Sequence, residues 1–185
     1  FQDKIRIVTM KAYVLIVNES GTEDSVISYL KNIPCITDAF GTFGTWDILT
    51  KLVSSNEENI QHDISNGIRK ISNIRSTLTL LVDEKLGFLK TNETEQKVLD
   101  KYMAKAFVTI HCSKSDEYSV MKNLEEIPEV TEANVLVGHN ELICKIMSPT
   151  FNDISEIVSK KVRKIHGIKS TNTINVINNQ GFSRK

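Results

Sequence analysis

The apolar positions of this chain follow two periods in turn, and the whole pattern comes round twice. Residues 106–112 put Val108, Ile110 and Cys112 on one side and Phe107, Thr109 and His111 on the other, the two-residue period of a half-buried strand. Val26, Leu30 and Ile33, and again Val120, Leu124 and Ile127, fall at i, i+4 and i+7, which predicts an amphipathic helix in each half. Ser20 and Glu23 have the spacing of a capping box ahead of the first, and Pro34 and Pro128 stop both. Two extended runs follow in each half, 35–43 with 46–53 and 129–137 with 140–147, broken around Gly44 and Gly138 as in a hairpin. Ile60, Ile64, Ile68 and Ile71, matched by Ile154, Val158, Val162 and Ile165, predict a second helix, and residues 77–82 and 171–177 close each half as a strand.

A constant offset of 94 relates the halves. It carries Lys11-Ala12-Tyr13-Val14 onto Lys105-Ala106-Phe107-Val108, Ile33-Pro34 onto Ile127-Pro128, Gly44 onto Gly138, Arg69-Lys70-Ile71 onto Arg163-Lys164-Ile165, and Ser76-Thr77 onto Ser170-Thr171. One offset held without a gap reads as a tandem duplication. The predicted fold class is α+β: two ferredoxin-like βαββαβ domains at 11–83 and 105–178, joined by a linker at 84–104 in which 93–103 has the pattern of a short helix. Right-handed crossovers put both helices of a copy on one face of a four-stranded sheet. The other face, expected to carry Thr77, Thr79 and Leu81, needs cover from a second sheet, in a dimeric α/β-barrel-like pairing that tethering favours within the chain.

Composition narrows the classes. Hydrophobic residues at 40% and charged residues at 25% fit a globular domain with a real core. With 23 basic against 23 acidic residues there is no excess charge to attract a polyphosphate, so direct nucleic-acid binding is not expected. No apolar run approaches the roughly 20 residues of a membrane span, no leader pattern is seen, and a cytoplasmic location is expected. Cys35, Cys112 and Cys144 form no CxxC pair and read as buried thiols. His111 and Cys112, adjacent on a strand, face opposite ways and do not make a metal site. Without a Ser-His-Asp order, Walker loop or GxGxxG, no catalytic residue is assigned, no cofactor is expected, and the chain is not read as an enzyme.

Two short motifs remain. The turn Gly44-Thr45-Trp46-Asp47-Ile48 and the closing strand Arg75-Ser76-Thr77-Leu78-Thr79, echoed by Lys169-Ser170-Thr171-Asn172-Thr173, resemble in order and spacing the ligand-binding (RAM) domain of Lrp/AsnC regulators, over about residues 11–83 and 105–177. That resemblance implies a pocket for a free amino acid or similar small effector where two dimers meet. It assigns Gly44, Trp46, Asp47, Thr77 and Thr79 to one site and Gly138, Asn140, Glu141, Thr171 and Thr173 to the other. Asp47 would take the ammonium and the threonines would donate hydroxyls, while Gly44 permits close approach of the backbone. Asn140 in place of Trp46, and Glu141 in place of Asp47, imply a second site that has a different specificity or is vestigial. The implied protein is an effector-binding regulator of Lrp/AsnC type without a DNA-binding half, a homo-oligomer that could co-assemble with full-length relatives and needs no membrane or nucleic-acid contact of its own. Two rivals share the β-α-β-β-α-β order: a cofactor-independent enzyme of the dimeric α+β barrel class and an ACT-like amino-acid-binding domain. Buried polar groups in an internal pocket mark an enzyme, and polar groups at the hairpin turns mark a sensor.

Overall fold

The computed structural model describes residues 9–138 and 141–184. The described residues form an α+β arrangement with eight strands and five α-helices, and every pairing between described strands is antiparallel. Two compact units emerge, one holding residues up to 41, 45–81 and from 179 onward, the other 42–44 and 82–178.

The first unit contains β1 (Met10–Asn18), α1 (Glu23–Leu30), β2 (Ile36–Thr42), β3 (Ile48–Ser54), α2 (Glu57–His62) and the first part of β4 (Ile74–Leu89). Its strands pair in the order β4-β1-β3-β2, and the end of β8 (Ile168–Ser183) continues beside β2, where Arg184 N–H donates to Thr37 O at 2.7 Å. Alternate strand residues Ala12, Val14, Ile16, Ile48 and Leu52 meet Val26, Leu30, Ile60, Ile64 and Ile68 of the helical layer in one core. Fully burying side chains of this size stabilises by roughly 1.5–3 kcal/mol each. Ser20 and Glu23 do not form the expected box: α1 starts at Glu23 without a side-chain cap, and the Asn18 amide ties the turn by donating to Glu19 O at 2.8 Å and Glu23 Oε1 at 3.2 Å. The second helix loosens into a π turn at Asp63–Gly67, where Asp63 turns inward and accepts the Cys35 N–H at 2.9 Å.

The second unit contains the rest of β4, α3 (Glu93–Tyr102), β5 (Ala104–Cys112), α4 (Glu117–Glu125), β6 (Val130–Leu136), β7 (Glu141–Ser148), α5 (Phe151–Lys160) and most of β8. Its strand order is β8-β5-β7-β6-β4. The position of the inward Asp63 is taken by Ile157, and here the helix stays regular, with Thr150 Oγ1 accepting the Asp153 N–H at 3.1 Å.

Three expectations need correction. Residues 84–89 are strand rather than linker, because β4 runs on to Leu89 before α3, whose start is fixed by a reciprocal Asn92–Glu95 capping box. Each unit therefore has five strands instead of four. Thr77, Thr79 and Leu81 are not on the face away from the helices: they pair with Ile16, Val14 and Ala12, which all lie in the helix-side core. That other face is carried by Tyr13, Leu15, Leu49 and Leu80 in the first unit and by Phe107, Ile143 and Ile174 in the second, all buried. No helix among the described residues is long and apolar enough to cross a membrane.

Candidate functional site

The face of the second unit turned away from α4 and α5 is where buried charge collects. On β5, Lys105 and Phe107 point away from the core residues Ala106 and Val108, and on β7, Lys145 does the same between Cys144 and Ile146. The register sets Phe107 and Glu132 on either side of Lys145, Lys105 opposite Met147, and Asn134 opposite Ile143. Lys105, Lys145, Glu132 and Asn134 are 6%, 8%, 6% and 7% exposed, so the sheet face holds two ammonium groups, a carboxylate and an amide out of water. Charges in such a place persist only when paired.

Part of the pairing comes from α3. Asp100 Oδ1 accepts from Lys105 Nζ at 3.1 Å, Lys145 Nζ at 3.4 Å and Gln96 Nε2 at 3.0 Å. Gln96 also reaches Met147 Sδ at 3.6 Å, and Lys145 Nζ lies 5.9 Å from the centre of the Phe107 ring. Burial alone raises the Asp100 carboxyl, but the charges of Lys145 and Lys105, with the hydrogen bonds from Lys105 and Gln96, outweigh it and hold the group below the usual carboxylate range. Asn134 Nδ2, on the same face, is buried without a hydrogen-bond partner among the described residues. A buried amide left so costs stability, which points to a missing acceptor.

The first unit does not repeat this arrangement. Lys51 sits 5.9 Å from the Tyr13 ring, as Lys145 does from Phe107, but Asp38 stands where the second unit has Glu132 and takes the Thr37 hydroxyl at 2.7 Å. Phe40 occupies the place of Asn134.

The residues singled out from the sequence lie elsewhere. Gly44 and Gly138 take φ of +101° and +100° in their hairpins, facing open space. Trp46 is half-buried, and Asp47 Oδ2 accepts the Asn18 N–H at 2.9 Å while the Asp47 N–H donates to Ile16 O at 2.9 Å. Thr171 and Thr173 pair with Ile110 and Val108 and so share the helix-side face, as do Thr77 and Thr79 in the first unit. Thr79 Oγ1 is buried without a hydrogen-bond partner among the described residues, and Thr171 Oγ1 accepts from Arg163 Nε at 2.9 Å. Glu141 pairs with His111 on the opposite face. The register thus separates the threonines from Glu141 by the thickness of the sheet, while Asn140 lies outside the described residues. Thr171 lines a cleft of about 330 Å³ with Arg163, Ile168, Lys169 and Ser170, and a second of about 410 Å³ opens between Glu129, Ser148, Asp153 and Lys161. Burial pushes the Cys144 thiol up to about 12 and, with Asp63 adding to it, the Cys35 thiol to about 11, which favours the protonated, less nucleophilic form of both.

Sequence reasoning missed Lys105, Lys145, Glu132, Asn134 and Asp100. A signal was present: Lys145 interrupts the apolar run 142–147, and Glu132 and Asn134 alternate with the apolar Ala133 and Val135 in a strand whose residues are all buried.

Comparison with known proteins gives two kinds of likeness. Regulatory protein AsnC of Escherichia coli (strain K12) is 30% identical over 79 residues, 42% of this chain and 52% of its own. The chain spans about half the length of the curated relatives it matches. Among solved structures, siroheme decarboxylase NirDL superposes over 95% of this chain and 73% of its own, at a TM-score of 0.70 and 9% identity. A putative monooxygenase from Fusobacterium nucleatum covers 96% of this chain and 97% of its own, at a TM-score of 0.57 and 11% identity. The expectation of a regulator that is not an enzyme is corrected by these structures: proteins named for enzymes share the fold over nearly the whole chain, whereas the AsnC regulators match 42% to 58% of it. In sequence, residues 105–180 match the model of the Lrp/AsnC ligand binding domain.

Proposed function

We propose that the protein is an enzyme of the dimeric α+β barrel class, acting on a small organic anion at the charged face of its second unit. The observation that carries the reading is the pair of ammonium groups of Lys105 and Lys145, each more than nine-tenths buried, beside the unpartnered Asn134 amide. Apolar residues of similar volume would make a sheet face of this kind at least as stable, so buried charge kept here serves chemistry better than it serves folding. The internal offset of 94 supports the class, which pairs two βαββαβ sheets.

Decarboxylation, the activity named for NirDL, is the reaction class that these groups suit. The two lysines hold the substrate carboxylate and the buried face excludes water, which raises a localised charge relative to one spread over the product carbon. The carbon–carbon bond to the carboxyl group breaks, carbon dioxide leaves, the electron pair stays on the substrate carbon, and a proton from the Lys145 ammonium takes the vacated place. The proton returns to Lys145 from solvent.

The test is release of carbon dioxide from a panel of aromatic and tetrapyrrole carboxylates, by wild type and by Lys145→Met. The reading expects turnover of at least one panel member and its loss in the variant. Turnover unaffected by Lys145→Met, or none on any panel member, would overturn it.

A further inference from the structure

Helix α3 is an odd cover for a buried charged face. None of its residues is buried, and its two large apolar side chains on one side, Val98 and Tyr102, are 53% and 70% exposed. Its polar ties to the sheet run from Asp100 to Lys105 and Lys145 and from Gln96 to Met147 Sδ, beside the half-buried Leu99. A helix held this way opens locally at far lower cost than the core beneath it. The lysines, by contrast, are rooted in the central strands β5 and β7, whose neighbours Ala106, Cys144 and Ile146 are fully packed, so they stay in place when α3 lifts.

We infer that Asp100 occupies the position of the substrate's carboxylate, and that a carboxylate ligand enters by displacing Asp100 and lifting α3. Three donors converge on a single Asp100 oxygen, the coordination a ligand carboxylate would inherit on entry. The Asn134 amide adds a donor on the same face that Asp100 leaves unused. The displaced helix takes no fully buried apolar side chain with it.

The inference rests on the proposed site, and the experiment separates the two. Benzoate, a monoanionic carboxylate whose decarboxylation would leave an aryl anion with no delocalisation, serves as the probe and is titrated calorimetrically into wild type and Asp100→Asn, and trypsin cleavage after Lys97 and Lys101 of α3 is followed in wild type with and without saturating benzoate. The expected result is at least tenfold tighter benzoate binding by Asp100→Asn, and faster cleavage of wild-type α3 when benzoate is bound. The cleavage reading needs no variant and stands even if Asp100→Asn folds poorly. Equal affinity in both proteins, benzoate that binds without exposing α3, or no binding to either protein overturns the displacement. In each of those cases, carbon dioxide release that still depends on Lys145 leaves the proposed function standing, and release that does not removes both.

Discussion

Lys145 and Asp100 stand 45 residues apart in the chain, yet Lys145 Nζ lies 3.4 Å from Asp100 Oδ1, the same oxygen that Lys105 reaches at 3.1 Å. A single carboxylate thus helps to neutralise two buried cations. Asp100→Ala is expected to destabilise the protein by about 3 kcal/mol, the low end for breaking a buried pair because Asp100 keeps 19% of its side-chain surface in water. Urea unfolding checks this, and a change below about 0.5 kcal/mol would place the lysines' main compensation elsewhere.

The same pair sets a pH dependence. The folded Asp100 carboxyl lies below its unfolded value of roughly 3.9. Its contribution to stability is therefore fully present above that value and is lost as the pH falls through the lower, folded one. Stability measured from pH 6 down to pH 2 is expected to drop more for wild type than for Asp100→Asn, with the curves approaching each other only in the acid range. Parallel curves would contradict the coupling.

Much of the frame was legible in the sequence, and the reason is periodicity. The helices at Val26–Leu30–Ile33 and Ile154–Val158–Val162 and the strand at 106–112 lie where their spacing puts them, because each buries one face against one core. The ends of β4 and β8 were not legible: Asp83 to Lys85 and Asn178 to Gln180 look like turns, and only pairing with β6 and β2 keeps them extended. The candidate site was hidden for a different reason. Its charges are spread over β5, β6, β7 and α3, and no local motif joins residues that only the strand register and a returning helix bring together.

Asp47 illustrates how a motif residue can have a local task. Its carboxylate accepts the Asn18 N–H where β1 ends and its pairing with β4 shifts register. Asp47→Ala is expected to cost roughly 1–2 kcal/mol, the penalty for a backbone donor left without its acceptor. Asp47→Asn, which keeps a side-chain oxygen, is expected to cost less than half as much. Thermal unfolding of both variants decides the matter, and equal, negligible shifts would remove the structural role.

Two glycines with positive φ should respond very differently to a methyl group. At Gly181, φ is +132° and an added Cβ would come within 2.1 Å of the Ala39 carbonyl oxygen, whereas at Gly44, φ is +101° and the space is open. Gly181→Ala is expected to destabilise by more than about 3 kcal/mol through backbone displacement in β8 and β2, and Gly44→Ala by only about 1 kcal/mol of conformational strain. Similar unfolding midpoints for the two would contradict the close approach of β8 to β2.

The central claim is that Lys145 is kept for chemistry, and one pair of values taken on one variant tests it most directly. Lys145→Met removes the charge and keeps the volume. Its kcat/KM for carbon dioxide release, set beside its urea midpoint, is expected to fall at least a hundredfold, about 2.7 kcal/mol of transition-state stabilisation, and by far more than the lost folded fraction accounts for. A variant that keeps its turnover, or that loses turnover only in proportion to lost folding, would contradict the account.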